Sequence, residues 1–246
     1  MIDLHCHLLP GIDDGAVDID DALDLAHAAV ANGIKRCVVT PHMHEGRYQN
    51  DRSSLQPRLE QFREILTATG IELEVGLAAE VRIGFEILHW LKTDEIPFLG
   101  MYKGRNVLLL ELPHDQIPVG ADKLIARLIS DGIQPLIAHP ERNKHVIRNF
   151  DAIRPFVDMG CLLQVTSGSV IGAFGPPARQ RAHQLLQMGW VHILATDAHN
   201  INWRPPNLAE GRAEAAKIVG EEESWALVRD RPWQIAKAHF QTKDTA

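Results

Sequence analysis

No apolar run in this sequence approaches the roughly 18–20 residues of a bilayer-spanning helix, so insertion into a membrane is not expected. The first residues lack the basic patch and apolar stretch of a secretory signal, because strand-like sequence begins at Ile2. Cysteine occurs three times in 246 residues, at Cys6, Cys37 and Cys161, with no Cys-x-x-Cys spacing. That excludes a disulfide framework and reads as reduced thiols in a cytoplasmic protein. Basic excess is missing too: 25 Lys and Arg stand against 32 Asp and Glu, a formal net charge of -7. This balance disfavours nucleic acid or an anionic membrane surface as the main partner, while leaving room for local cations to meet a phosphorylated substrate.

The remainder is ordinary globular composition, 45% hydrophobic and 23% charged. A chain of this length buries a full core unaided, so any metal would serve chemistry rather than folding. Short Val/Ile/Leu-rich runs recur at Met1–Leu8, Ile34–Thr40, Ile71–Glu80, Asn106–Leu112, Ile133–Ala138, Cys161–Thr166 and Val191–Thr196. Continuous apolar runs of this length suit strands covered on both faces. Between them lie amphipathic segments at Asp20–Asn32, Ser53–Thr69, Ala121–Asp131, Phe150–Met159 and Pro177–Met188, and "FEILHWL" reads as helical. Gly33, Gly70, Gly132, Gly160 and Gly189 stand where helix C′ residues belong. Seven alternating units predict a single-domain α/β fold, a closed or nearly closed seven-stranded parallel barrel, with a doubly wound open sheet as the alternative. A helical region is expected over about 208–240, interrupted near Pro232, with a frayed tail at 241–246.

Ligand-type residues fall at the ends of these strands. His5 and His7 share one face of the first strand, since side chains alternate with period two. His42 follows the second, Glu80 closes the third and Glu111 the fourth, His139 follows the fifth, and Asp197 and His199 follow the seventh. In a parallel barrel these ends meet on one rim, where active sites are built. Taken alone, each residue reads as a cap, a turn former or a solvated side chain; six of seven strands ending this way do not. His27, His89, His183, His192 and His239 read as ordinary core or surface histidines. His44, His114 and His145 lie near enough to the rim to touch substrate, and Asp13 reads as a turn residue.

With these positions in view, "DLHCHLLPGIDDG", "TPH", "ELP", "AHPER", "QVTSGSVIGAFG" and "TDAHN" resemble the PHP (polymerase and histidinol phosphatase) superfamily. Within it they resemble the bacterial capsule-associated tyrosine-protein phosphatases of the CpsB/YwqE type, over nearly the whole chain. The resemblance implies a distorted seven-stranded barrel holding three divalent metals, commonly manganese. It places His5, His7, Glu80 and Asp197 around the first metal and lets Glu80 bridge to a second, completed by Glu111 and His139. Asp14, His42 and His199 would hold the third. Arg142 and Arg204 match arginines expected to grip phosphate. The implied substrate is a phosphotyrosine protein, the tyrosine-rich tail of a kinase regulating polysaccharide export.

The chemistry fits that expectation. Mixed imidazole and carboxylate ligands suit Mn, Fe or Zn better than Ca or Mg. Clustered metals can generate hydroxide near neutral pH, which would attack phosphorus in line and expel the phenolate, a leaving group with pKa about 10. The cysteine-dependent route fails, because six residues beyond Cys6, Cys37 and Cys161 stand Ile12, Met43 and Ser167, not arginine. Histidinol-phosphate hydrolysis, nuclease trimming, an amidohydrolase-type reaction and a non-catalytic scaffold are the competing readings. The acidic balance weighs against the nuclease. Glu111 stands where many amidohydrolases carry a carbamylated lysine, and the full ligand set weighs against the scaffold.

Overall fold

In the computed structural model, which describes residues 1–240, the chain builds a ring of seven parallel staves. The first is β1 (Ile2–Cys6). The second is interrupted, β2 (Arg36–Val39) and then β3 (His42–Met43), and so is the third, β4 (Glu74–Leu77) and β5 (Glu80–Arg82). Pro41 stands in the first gap, where its missing N–H takes a donor out of the ladder. After β6 (Met101–Tyr102) come the continuous staves β7 (Arg105–Glu111), β8 (Ile133–Ala138), β9 (Leu162–Thr166) and β10 (Val191–Ala195). The pairing β1-β2-β4 and β3-β5-β7-β8-β9-β10 is parallel throughout.

The ring closes where the last stave meets the first. Asp197 N–H donates to His5 O at 2.7 Å and His7 N–H to Ala198 O at 2.9 Å, beside a parallel Cys6–Ala198 bridge. Below this, the buried Asp3 carboxylate accepts from Thr196 N–H at 3.0 Å and from its hydroxyl at 2.5 Å. The open-sheet alternative therefore falls.

Helices cover the outside as their periodicity dictates. α1 (Ile19–Ala31) buries Ala22, Leu25, Ala26 and Ala29, and α4 (Ala121–Ser130) buries Ala121, Leu124, Ile125 and Leu128. Both follow the i, i+3, i+4, i+7 stripe of a core-facing helix. α2 (Arg52–Ala68) starts at a capping box, Asp51 accepting from Ser54 N–H while the Ser54 hydroxyl stands 3.0 Å from Asp51 N. α3 (Ile87–Lys92) answers the helical "FEILHWL". All five predicted C′ glycines adopt positive φ.

Several elements differ from expectation. Phe150–Met159 is not one helix but a 3-10 turn, Phe150–Ile153, followed by α6 (Arg154–Asp158), because Pro155 suits a helix start and not an interior. The short α5 (Lys144–Arg148) and α7 (Ser167–Ile171) were not anticipated, and neither was β6, which pairs antiparallel with β7 through a Lys103-Gly104 turn. α8 (Pro176–Gln187) matches. The C-terminal helical region divides at Gly220 (φ 86) into α9 (Leu208–Val219) and α10 (Glu221–Trp225). Pro232 sits in the first turn of α11 (Arg231–Ala236) rather than breaking a helix. The tail at 241–246 lies outside the described residues.

Candidate metal centre

All nine predicted ligand positions converge at the end of the barrel where the staves finish. His5 Nε2, His7 Nε2, Glu80 Oε2 and Asp197 Oδ1 form the tightest group, and all four residues are buried. His5 Nε2 lies 3.3 Å from Glu80 Oε2 and 3.2 Å from Asp197 Oδ1. His7 Nε2 lies 3.4 and 3.3 Å from the same oxygens and 3.3 Å from His5 Nε2. A regular tetrahedron with such edges has its centre about 2 Å from each vertex, the bond length of a transition-metal ion to nitrogen and oxygen. Glu80 Oε2 and Asp197 Oδ1 are also buried without a hydrogen-bond donor, since the neighbouring imidazoles are close but not aimed at them. Four convergent donor atoms and two orphaned carboxylate oxygens fit a cation.

Two polar side chains aim the imidazoles. His5 Nδ1 donates to Gln164 Oε1 at 3.0 Å, which also accepts His139 N–H at 3.1 Å. His7 Nδ1 lies 2.7 Å from Asp13 Oδ2, which accepts His42 N–H at 3.0 Å. Each contact leaves Nε2 turned inward, the arrangement that fixes a metal-binding tautomer. Asp13 does form the predicted turn, accepting Gly15 N–H at 2.9 Å, and it orients His7 as well. Gly15 is required there, because a Cβ would stand 2.3 Å from His7 O.

Two further groups adjoin the first. His7, Asp14, His42 and His199 form one, with Asp14 Oδ1 3.1 Å from His42 Nε2 and 3.5 Å from His199 Nε2. His199 Nδ1 is turned to Asp197 O at 2.9 Å. His42, Glu80 and Glu111 form the other. The resemblance pairs Glu111 with His139; here Glu111 Oε2 is 3.8 Å from His42 Nδ1 and 2.9 Å from Arg82 Nε, whereas His139 Nε2 meets the second oxygen of Glu80 at 2.7 Å. Glu80 is thus the hub. His139 and Asp197 both hold positive φ, 33° and 53°, strained values that turn these residues over the rim.

Titration follows the same crowding. Burial disfavours charge on His5 and His42, yet the carboxylates outweigh it: Glu80 and Asp197 raise His5, while Glu80 and Asp14 lift His42 to about 10. Burial and Arg142 push His139 down to about 3, and burial and His7 push His199 to about 4. Burial and the Glu80 charge lift Glu111 to about 7. Burial works against ionising Asp197, but Arg142, His5 and Arg204 hold it well below the usual range.

Arg142 and Arg204 meet at one atom. Each Nη2 donates to Asp197 Oδ2 at 2.5 Å. Arg142 ends the 3-10 turn Pro140–Arg142, pinned by buried Glu141, which accepts from Thr166 N–H and Ser169 Oγ. Arg204 returns inward because its loop closes, His199 N–H donating to Arg204 O and Trp203 N–H to Asn200 Oδ1. Beside them opens a cavity of about 420 Å³ lined by Asp14, His42, Glu80, Glu111, His139, Arg142 and Arg204, among others. His114 lines it as well. His44 instead closes a bridge with Tyr48, and His145 N–H donates to Asn143.

Sequence reasoning gave Gln164 no role and saw only the turn in Asp13. Gln164 had a signal, an amide inside the apolar run "LLQVT". Asp13 offered only its turn, because its contact with His7 is made through the folded loop.

The family model described as "Capsular polysaccharide synthesis, CpsB/CapC" matches residues 1–237. The chain is 34% identical to the tyrosine-protein phosphatase YwqE of Bacillus subtilis, over 94% of this chain and 89% of that protein. It is 29% identical to the tyrosine-protein phosphatase CpsB of Streptococcus pneumoniae, over 96% and 98%. A solved structure from work on YwqE and CpsB, described there as unique metal-dependent tyrosine phosphatases, superposes with a TM-score of 0.88 at 33% identity, covering 95% of this chain and 94% of that one. Sequence and barrel agree along nearly their whole length, and the chain belongs to the CpsB/CapC family.

Proposed function

We propose that this protein is a metal-dependent protein tyrosine phosphatase of the PHP superfamily, working in the cytoplasm as one domain over residues 1–246. The observation that carries the reading is the buried group of His5, His7, Glu80 and Asp197 with two guanidiniums resting on the same aspartate. His5, His7, Glu80 and Asp197 would hold one divalent ion. Glu80, Glu111 and His139 would hold a second, and Asp14, His42 and His199 a third. Manganese suits the mixed donor set, as do iron and zinc. When bound, such ions supply positive charge for phosphoryl oxygens and an ionised water at neutral pH.

The chain's own residues do the rest. Glu80 offers one oxygen to His5, His7 and His42 and the other to His139, so a single side chain ties the groups together. Arg142 and Arg204 bind the non-bridging phosphate oxygens, which the guanidinium fork matches. Their shared grip on Asp197 holds both in place before substrate arrives, so little ordering remains at binding. Phenolate, with a pKa about 10, is a far better leaving group than an alkoxide and does not require a dedicated acid. The substrate is a phosphotyrosine protein, in this reading the tyrosine-rich tail of a kinase of polysaccharide export, and the family's description by capsular polysaccharide synthesis supports that setting.

The test is phosphate release from a phosphotyrosine peptide by manganese-loaded protein, with histidinol phosphate and a dihydroorotate-like amide alongside. Turnover of the peptide that chelator abolishes is the expected result. Turnover unchanged by chelator, or confined to either comparison substrate, overturns the reading.

A further inference from the structure

The cavity above the metal centre has a mixed lining. Beside the charges already described, with Arg47, Arg82 and Lys144, it carries apolar side chains, Leu112, Ile147, Phe174, Pro177 and Ala178, of which Ile147, Pro177 and Ala178 come from the packed helices α5 and α8. Leu112 and Ala178 are buried, Ile147 and Phe174 half-buried and Pro177 exposed, so this wall is partly packed and partly open. The phosphatase reading uses the charged side chains alone.

Phe174 joins the two. Its ring lies beneath the Arg142 guanidinium, with Cζ 4.7 Å from the ring centroid, while Arg142 Nη2 rests on Asp197. Gly168 abuts the same ring, and a Cβ there would stand 2.9 Å from Phe174 Cε2. One aromatic side chain therefore carries a guanidinium and also lines the apolar part of the cavity.

We propose that Phe174, with Leu112 and Ile147, forms an aryl subsite that selects aromatic over alkyl phosphate esters, Phe174 also positioning Arg142. The inference rests on the phosphatase reading and names which esters that site prefers. A phosphate held by Arg142 has its ester group beside either the charges or the wall. A phenyl ring among Asp14, Glu111 and Arg82 would strip water from charged groups and return no hydrogen bond. Against the wall it gains apolar contact instead. A short alkyl ester carries too little apolar surface to gain the same.

Calorimetric titration of the manganese-loaded protein with phenylphosphonate and methylphosphonate tests this without requiring turnover. The wild type is expected to bind the phenyl compound about tenfold tighter or more. Phe174→Ala and Ile147→Ala should each bring that ratio towards one. Phe174→Leu keeps the apolar bulk but loses the ring under Arg142, so it should weaken both ligands about equally, by several-fold. A wild-type ratio near one overturns the subsite, and so does a ratio unmoved by Ile147→Ala, a variant that decides the matter even if Phe174→Ala does not fold. Methylphosphonate affinity unchanged in Phe174→Leu overturns the positioning role. Selective phenylphosphonate binding without phosphotyrosine hydrolysis would sink the activity and spare the subsite; hydrolysis with a ratio of one would do the reverse.

Discussion

At the end of the barrel where the staves finish, Glu80, Glu111, Glu141 and Asp197 each keep a buried oxygen without a hydrogen-bond donor. Among the described residues these are all the buried carboxylate oxygens left so. His139 and Asp197 add strained backbone at the same end. The helical shell is built differently: Asp18 and Asp51 cap their helices, apolar stripes face inward, and glycines take most of the left-handed turns, Asp94 and Lys103 being the exceptions. The shell follows the rules that stabilise a fold, whereas the rim crowds carboxylates, imidazoles and guanidiniums together and leaves four carboxylate oxygens without a hydrogen bond. Such a rim is arranged for binding positive charge at some expense in stability.

The contrast can be broken most directly at its hub. Glu80→Gln should lower phosphotyrosine turnover on the order of 10³-fold or more, since the metal charge is worth several kcal/mol. The metal-free variant should melt somewhat lower, because His5, His42 and His139 lose the carboxylate that faces them, and manganese should raise its melting temperature far less than it raises the wild type's; an equal rise would make Glu80 a structural residue instead. Arg142→Ala comes next, with kcat/KM down about 10²–10³-fold and weaker competition by inorganic phosphate. Arg142→Lys should recover little of it, as lysine lacks the planar fork. Asp13→Ala and Gln164→Leu are expected to weaken manganese binding roughly 10–100-fold in a metal titration, because they free the inward imidazoles to turn. Unaltered affinity in both would mean the rim holds its histidines by packing alone. In the shell, Asp51→Ala should cost about 1 kcal/mol in denaturant unfolding and leave manganese affinity untouched.

The rim was largely legible from sequence, because an apolar run that ends in a ligand-type side chain is unremarkable once and hard to obtain by chance at six strands. The barrel was legible for a related reason, its staves being short apolar runs separated by periodic segments with glycine stops. What escaped was set by three-dimensional contact. Strand register sets which neighbours Glu111 meets, placing Arg82 opposite Glu111 and His42 opposite Glu80, contacts that the apolar pattern does not display. Asp13 and Gln164 act through another residue, and nothing in their own spacing announces that. α5 and α7 are five residues each, too short to display a helical period.

The seam between the first and last staves joins residues 193 positions apart, Asp3 to Thr196. While the polypeptide is still being made, His5 and His7 emerge from the ribosome long before Asp197 and must wait for it. A nascent chain therefore carries an unfinished pair of imidazoles until the seam has shut, and an ion that needed all four side chains could be captured only after that.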